Sequence, residues 1–213
     1  MRNKYNFFLL IVILFLCIPA FAECPKNSRP ILDIEVNYGK IRYIHTKSNK
    51  DFPGQTPPTA MGLTVTDLQS QASGEAKVQS NREGNLCVSL HKMKVKIGFP
   101  SVDIYIDKKY KKGTCNYKVI KEHENYHARV QQEGLKFFTP KIKEAYKIAA
   151  NKIQPVEISS PEEAQGISGQ MIRQVEADVA PLIEYVKKRL QEENMVIDTE
   201  ESYKEETSKC PSW

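Results

Sequence analysis

Two of the four histidines in the chain stand in Lys121-Glu122-His123-Glu124-Asn125-Tyr126-His127. Residues four apart on a helix project from one face, one turn above the other. Two neutral imidazoles so placed can both reach one Zn²⁺ at about 2.0–2.1 Å. Glu124 then stands beside the cation rather than on it, where a carboxylate can take a proton from water. The pattern predicts metal-assisted hydrolysis, with His123 and His127 as ligands and Glu124 as general base.

The elements around this segment change period along the chain. Leu32, Ile34 and Val36 alternate with polar residues, as do Ile41, Tyr43 and His45, and each run predicts a half-buried strand. Leu63 and Val65 suggest another, before a polar Gln/Ser stretch up to Ser80 that resists assignment. Between Leu86 and Ile97, Met93, Val95 and Ile97 face one way and Lys92, Lys94 and Lys96 the other, with His91 expected on the core side. The lysines read as a solvated face. Gly98 and Pro100 close that strand, and Val102, Ile104 and Ile106 mark the next. From Asn116 through Ile120, His123, His127, Val130 and Gly134 the spacing is helical. Pro140 predicts a break and a second helix over 141–153. Ser160 is a good N-cap with Pro161 behind it, and Ile167, Met171, Val175, Val179, Leu182, Val186 and Leu190 mark a long amphipathic helix containing Pro181. Strands first and helices second predict an α+β fold, an antiparallel or mixed twisted sheet packed on C-terminal helices.

The amino end carries an address. Arg2 and Lys4 precede an apolar run from Phe7 to Ile18, and Ala20 and Ala22 complete the pattern of a secretory signal peptide over residues 1–22. The run is about twelve residues, short of the roughly 20 a spanning helix needs. The expectation is a periplasmic or secreted chain starting at Glu23, without stable membrane insertion. Its 213 residues, 40% hydrophobic, suffice for one domain, here residues 23–197, followed by a polar tail over 198–213. A net charge of +5, part of it from Arg2 and Lys4, is too mild to imply a nucleic-acid partner. In an exported chain Cys24, Cys87, Cys115 and Cys210 suggest two disulfides. The expected pairs are Cys87–Cys115, pinning a strand to the start of the motif helix, and Cys24–Cys210, tying the tail to the amino end.

With these features the sequence resembles the zincin metallopeptidases. More narrowly, it resembles a poorly characterised bacterial family of predicted secreted zinc-dependent proteases. Val102-Asp103-Ile104-Tyr105-Ile106, Gly113-Thr114-Cys115-Asn116-Tyr117 and the His123–His127 segment carry the narrower likeness, over about Ile31 to Ala150. The resemblance implies a zincin-like fold, a zinc cofactor and a peptide or protein substrate. It also implies an edge strand at Val102–Ile106 that aligns the substrate by strand addition. A catalytic zinc takes three protein ligands. The metzincin pattern would place Gly at position 130 and His at 133, where this chain has Val130 and Glu133. The gluzincin pattern takes a Glu from the next helix, which implies Glu144 if the motif helix ends near Gly134. Should that helix run on to Phe138, Glu157, Glu176 or Asp178 is better placed. Tyr117, Tyr126, Tyr146 and Arg173 are candidate donors to an oxyanion. The competing expectation is a disulfide-braced envelope binding or assembly protein, its metal structural or absent.

Overall fold

The computed structural model describes Cys24, residues 29–54 and residues 59–213; the expected signal peptide and the start at Glu23 lie outside the described residues. The alternating segments form β1 (Ile31–Asn37), β2 (Lys40–Ile44), β3 (Gly62–Thr66), β4 (Gln69–Ser80), β5 (Leu86–Gly98) and β6 (Ser101–Ile106). The helical segments form α1 (Cys115–Lys152), α2 (Ala164–Met195) and α3 (Glu200–Ser208), with a short β7 (Val156–Ile158) between α1 and α2. The protein is α+β, with mixed sheets from the N-terminal half and helices from the C-terminal half.

β5 lies between β1, parallel to it, and β4, antiparallel; β6 lies between β2, parallel, and β3, antiparallel. The two sheets are therefore successive stretches of one three-stranded ribbon, and β7 adds to the first stretch beside the start of β5. All three strands break at the same level, between the row Asn37, Gly98, Gln69 and the residues that begin β2 and β6. Pro100 has no N–H to give a ladder. Asn37 takes up the slack: its Oδ1 accepts from the Gly39 N–H at 2.9 Å and its carbonyl from the Phe99 N–H at 2.9 Å. Val102–Ile106, expected at the edge, is the central strand of the second stretch. The edge beside α1 is β3.

The polar Gln/Ser stretch is strand β4. Its alternation sets small residues rather than large ones inward, Ser70, Ala72 and Ala76 being half-buried, so no apolar period announces it. A bulge between Glu75 and Ala76 explains His91. Glu75 pairs with Lys92 but Ala76 with Leu90, so His91 is the extra residue. The extra residue resets the alternation. Leu90 and Met93 both point inward, while His91 and Lys92 are exposed.

The ribbon's inner face, from Val88 through Met93, Val95 and Ile97 to Ile104 and Ile106, is buried against α1 and α2. Pro140 does not end α1, which runs unbroken for 38 residues. Pro140 and Lys136 are both exposed, so the carbonyl freed at Lys136 faces water. The buried row Leu135, Phe138, Ile142 and Tyr146 continues across the proline in helical register, and tertiary packing overrides the local signal. The expected helix over 141–153 is thus the second half of α1. In α2, Ile183 rather than Leu182 takes the buried position beyond Pro181.

The disulfides are Cys24–Cys87 and Cys115–Cys210, not the pairs expected. Cys87 lies at the start of β5, one residue after Leu86, whereas Cys115 opens α1 beyond the far end of β6, so the length of the ribbon separates them. In the chain-entropy picture, closures across 63 and 95 residues each stabilise by about 4–5 kcal/mol.

Where α1 crosses α2, a Cβ added at Gly134 would lie 2.3 Å from Leu190 Cδ2. Gly134→Leu is expected to destabilise by about 1–3 kcal/mol through overpacking. Urea unfolding should then show a lower midpoint with an unchanged slope.

Candidate metal centre

Thr114 caps α1, its hydroxyl accepting from the Tyr117 N–H at 3.3 Å. Between two and four turns on, His123, Glu124 and His127 interrupt the apolar face of the helix and are 7%, 5% and 7% exposed. Polar side chains this deep require partners.

The imidazoles have a partner on each nitrogen. His123 Nδ1 meets Glu206 Oε1 at 2.6 Å and His127 Nδ1 meets Asn194 Oδ1 at 3.0 Å. Both partners are acceptors, so both Nδ1 atoms donate. That fixes the tautomer and turns the Nε2 lone pairs inward. There His123 Nε2 and His127 Nε2 stand 3.0 Å apart, and Asp198 Oδ1 lies 3.0 Å from the first and 3.2 Å from the second. Asp198 follows α2 in the turn that leads to α3.

This donor set fits a cation. A tetrahedral Zn²⁺ with bonds of about 2.0–2.1 Å holds its ligand atoms about 3.3 Å apart, close to all three separations. Without a cation each Nε2 would need a hydrogen to bind Asp198, and two N–H groups would then confront one another at 3.0 Å. His123, His127 and Asp198 form a group that could hold a metal ion.

The electrostatics follow from the same contacts. Burial opposes a charged His123, but the Asp198 bond and the carboxylates of Glu124 and Glu206 outweigh it and push its pKa up to about 9. His127 is raised too: burial works against its charge, and Asp198 and Asn194 overcome it. Burial would raise the Asp198 carboxyl, yet the hydrogen bonds from both histidines hold it well below the usual range. Burial of Tyr203, then the charge of Asp198, pushes its hydroxyl up; it donates to Asp198 Oδ1 at 3.0 Å.

Glu124 Oε2 accepts from the Thr64 hydroxyl at 2.8 Å. Burial raises its pKa, only partly offset by Thr64 and the two histidines. Its other oxygen lies against Gly62 of β3, where any Cβ would be 2.6 Å from Oε1. Glu124, His127, Asp198 and Tyr203 line a cleft of about 1050 Å³, walled by β3 and by α2 from Lys187 to Met195.

Of the residues expected at this site, the structure brings together His123, Glu124 and His127. Glu144 is not among them. It lies on the same helix, about 25 Å beyond His127 at 1.5 Å per residue, and its exposed side chain pairs with Lys147 at 3.4 Å. Glu157 is exposed on β7, Glu176 accepts from the Ala72 N–H at 2.9 Å, and Asp178 accepts from Gln174 at 2.8 Å. None of Tyr117, Tyr126, Tyr146 or Arg173 lines the cleft; Tyr203 does. Asp198, Tyr203 and Glu206 were missed because they lie in the segment read as a tail. The available signal was Cys210, whose bond to Cys115 places that segment beside the motif helix.

No protein-family model, no curated protein and no solved structure matches this chain.

Asp198→Ala is expected to weaken zinc binding by more than about 100-fold, beyond the usual effect of removing a residue that only supports a ligand. Glu144→Gln should leave it unchanged. Competition with a chromophoric chelator measures both. With the His123 pKa pushed up to about 9, binding of zinc at pH 7 would release a proton, and apparent affinity is expected to rise about tenfold per pH unit for each proton released. Titration calorimetry in two buffers of different ionisation heat counts those protons.

Proposed function

We propose that the chain is a zinc-dependent hydrolase of peptide bonds with a zincin-like site, exported to the periplasm or beyond. The observation that carries this reading is the convergence of His123 Nε2, His127 Nε2 and Asp198 Oδ1 within 3.2 Å, at a cleft that also receives a buried carboxylate. The zinc held by these three would supply Lewis acidity, polarising a carbonyl and acidifying a water. The remaining chemistry belongs to the chain. Glu124, its Oε2 held by Thr64, accepts the water's proton and returns it to the departing amine. Tyr203, whose hydroxyl donates to Asp198 Oδ1 at 3.0 Å, holds that carboxylate in place at the cleft.

The edge strand supports a peptide substrate. The Asp107 N–H donates to the Met61 carbonyl at 3.0 Å, so Met61, Leu63 and Val65 direct their backbone groups toward β6. Those of Gly62, Thr64 and Thr66 point the other way, and no described strand pairs with them. They flank the cleft, where an extended peptide can add as a strand. Two disulfides favour an oxidising compartment. No helix among the described residues is long and apolar enough to cross a membrane.

Purified protein is expected to carry about one zinc per chain and to cleave an unstructured polypeptide. Glu124→Gln should lower that rate by about 10²–10⁴-fold, the usual worth of a general base, with zinc still bound. Unchanged cleavage in that variant would refute the assignment of Glu124. Metal removal that unfolds the domain, with no hydrolysis in any form, would favour a structural metal in an envelope binding protein.

A further inference from the structure

Helix α3 sits against the metal centre without the apolar burial that secures α1 and α2. None of its nine residues is buried. Its attachments are mostly polar or covalent, with the Tyr203 ring 5.7 Å from the His123 ring. Glu206 accepts from His123 Nδ1 at 2.6 Å, Tyr203 donates to Asp198, and beyond the helix Asn116 Nδ2 donates to the Ser212 carbonyl at 2.6 Å. The covalent attachment is Cys210 to Cys115. Asp198 follows the end of α2 closely, so α2 alone keeps it near the imidazoles. Glu206 lies further along and reaches His123 only while α3 is docked. Ordering a helix that buries little apolar surface beyond part of the Tyr203 ring costs conformational entropy with little hydrophobic return. The bridge removes most of that cost by confining the far end of the segment.

We propose that the Cys115–Cys210 disulfide sets the metal affinity of the His123–His127–Asp198 centre by holding α3, and with it the positioning residue Glu206, against His123. This deepens the metal reading above and rests on it. Cys115 is exposed and its partner Cys210 is 7% exposed, whereas in the other bridge Cys24 is half-buried and Cys87 is 0% exposed, so the bridge is open to attack from the Cys115 side. A dithiol reductant opens it by ordinary exchange. One thiolate attacks the Cys115 sulfur, forms a mixed disulfide and expels Cys210 as a thiolate, which takes a proton. The second thiolate then displaces Cys115. The dithiol ends as a disulfide, oxidised by two electrons, and the protein gains two thiols.

The test measures zinc affinity by chelator competition in wild type and Glu206→Ala, each with the bridge intact or removed by Cys115→Ser with Cys210→Ser. Opening the bridge should loosen zinc about 10–100-fold, the range for losing a partner that orients a ligand. Glu206→Ala should loosen it similarly, and the two changes together no more than either alone. Glu206→Gln, whose amide oxygen still accepts from Nδ1, should recover part of the loss. An affinity indifferent to the bridge, or losses that multiply, would overturn the proposal. If the serine variant does not fold, folded wild type treated with the dithiol replaces it. Docking is also read without metal. Trp213, the only tryptophan, packs 6.0 Å from the Tyr110 ring. Opening the bridge should shift its emission and raise amide exchange across Glu200–Ser208; α3 amides that stay protected would count against the proposal. A chain that takes up no zinc in any state overturns the metal reading itself, whereas tight zinc binding indifferent to the bridge overturns only this inference.

Discussion

Three lone-pair-bearing atoms, two imidazole nitrogens and a carboxylate oxygen, converge within 3.2 Å on the buried face of α1. Such an arrangement is unfavourable unless protons or a cation occupy its centre. Everything near it follows from that constraint. Acceptors on the outer nitrogens fix the direction of the lone pairs, and raised imidazole pKa values record the demand for positive charge. A solvated helix face would show neither the burial nor the opposed nitrogens. The same four-residue spacing on an exposed helix would have carried no chemical meaning.

The ribbon places a second carboxylate beside this centre. Its break lets β3 lie along α1, with Gly62 and Thr64 against Glu124. The missing side chain at Gly62 leaves room for one carboxylate oxygen, and the Thr64 hydroxyl fixes the other. Glu124 is thereby both desolvated and oriented, the two conditions that let a carboxylate work as a base. The edge that carries out this positioning also leaves its alternate backbone groups free toward the cleft.

How much of this was legible in the sequence depends on range. The imidazole pair was legible because four residues on a helix is local geometry. The strands with large inward residues were legible for the same reason. β4 was not, because its inward residues are small, and His91 was misplaced because a bulge is set by the partner strand. Pro140 misled because the packing that carries a helix through a proline lies on other elements. Asp198, 71 residues from His127, had no local signature. Glu144 answered a pattern borrowed from other chains, one that required α1 to end early.

The disulfide pairing concerns the same region as Asp198. Assigning Cys115 to Cys87 left the last sixteen residues as an appendage tied to the amino end. Joined instead to Cys210, Cys115 brings Tyr203 and Glu206 back over the start of α1, beside the Asp198 that follows α2. A covalent bond between distant segments thus does what hydrophobic burial does elsewhere in the molecule. It positions the polar side chains of a helix that has no buried residue. The most polar part of the chain completes the group because side chains that could hold a metal ion, and those that orient them, must be polar, and a helix built around them has little surface left for a core.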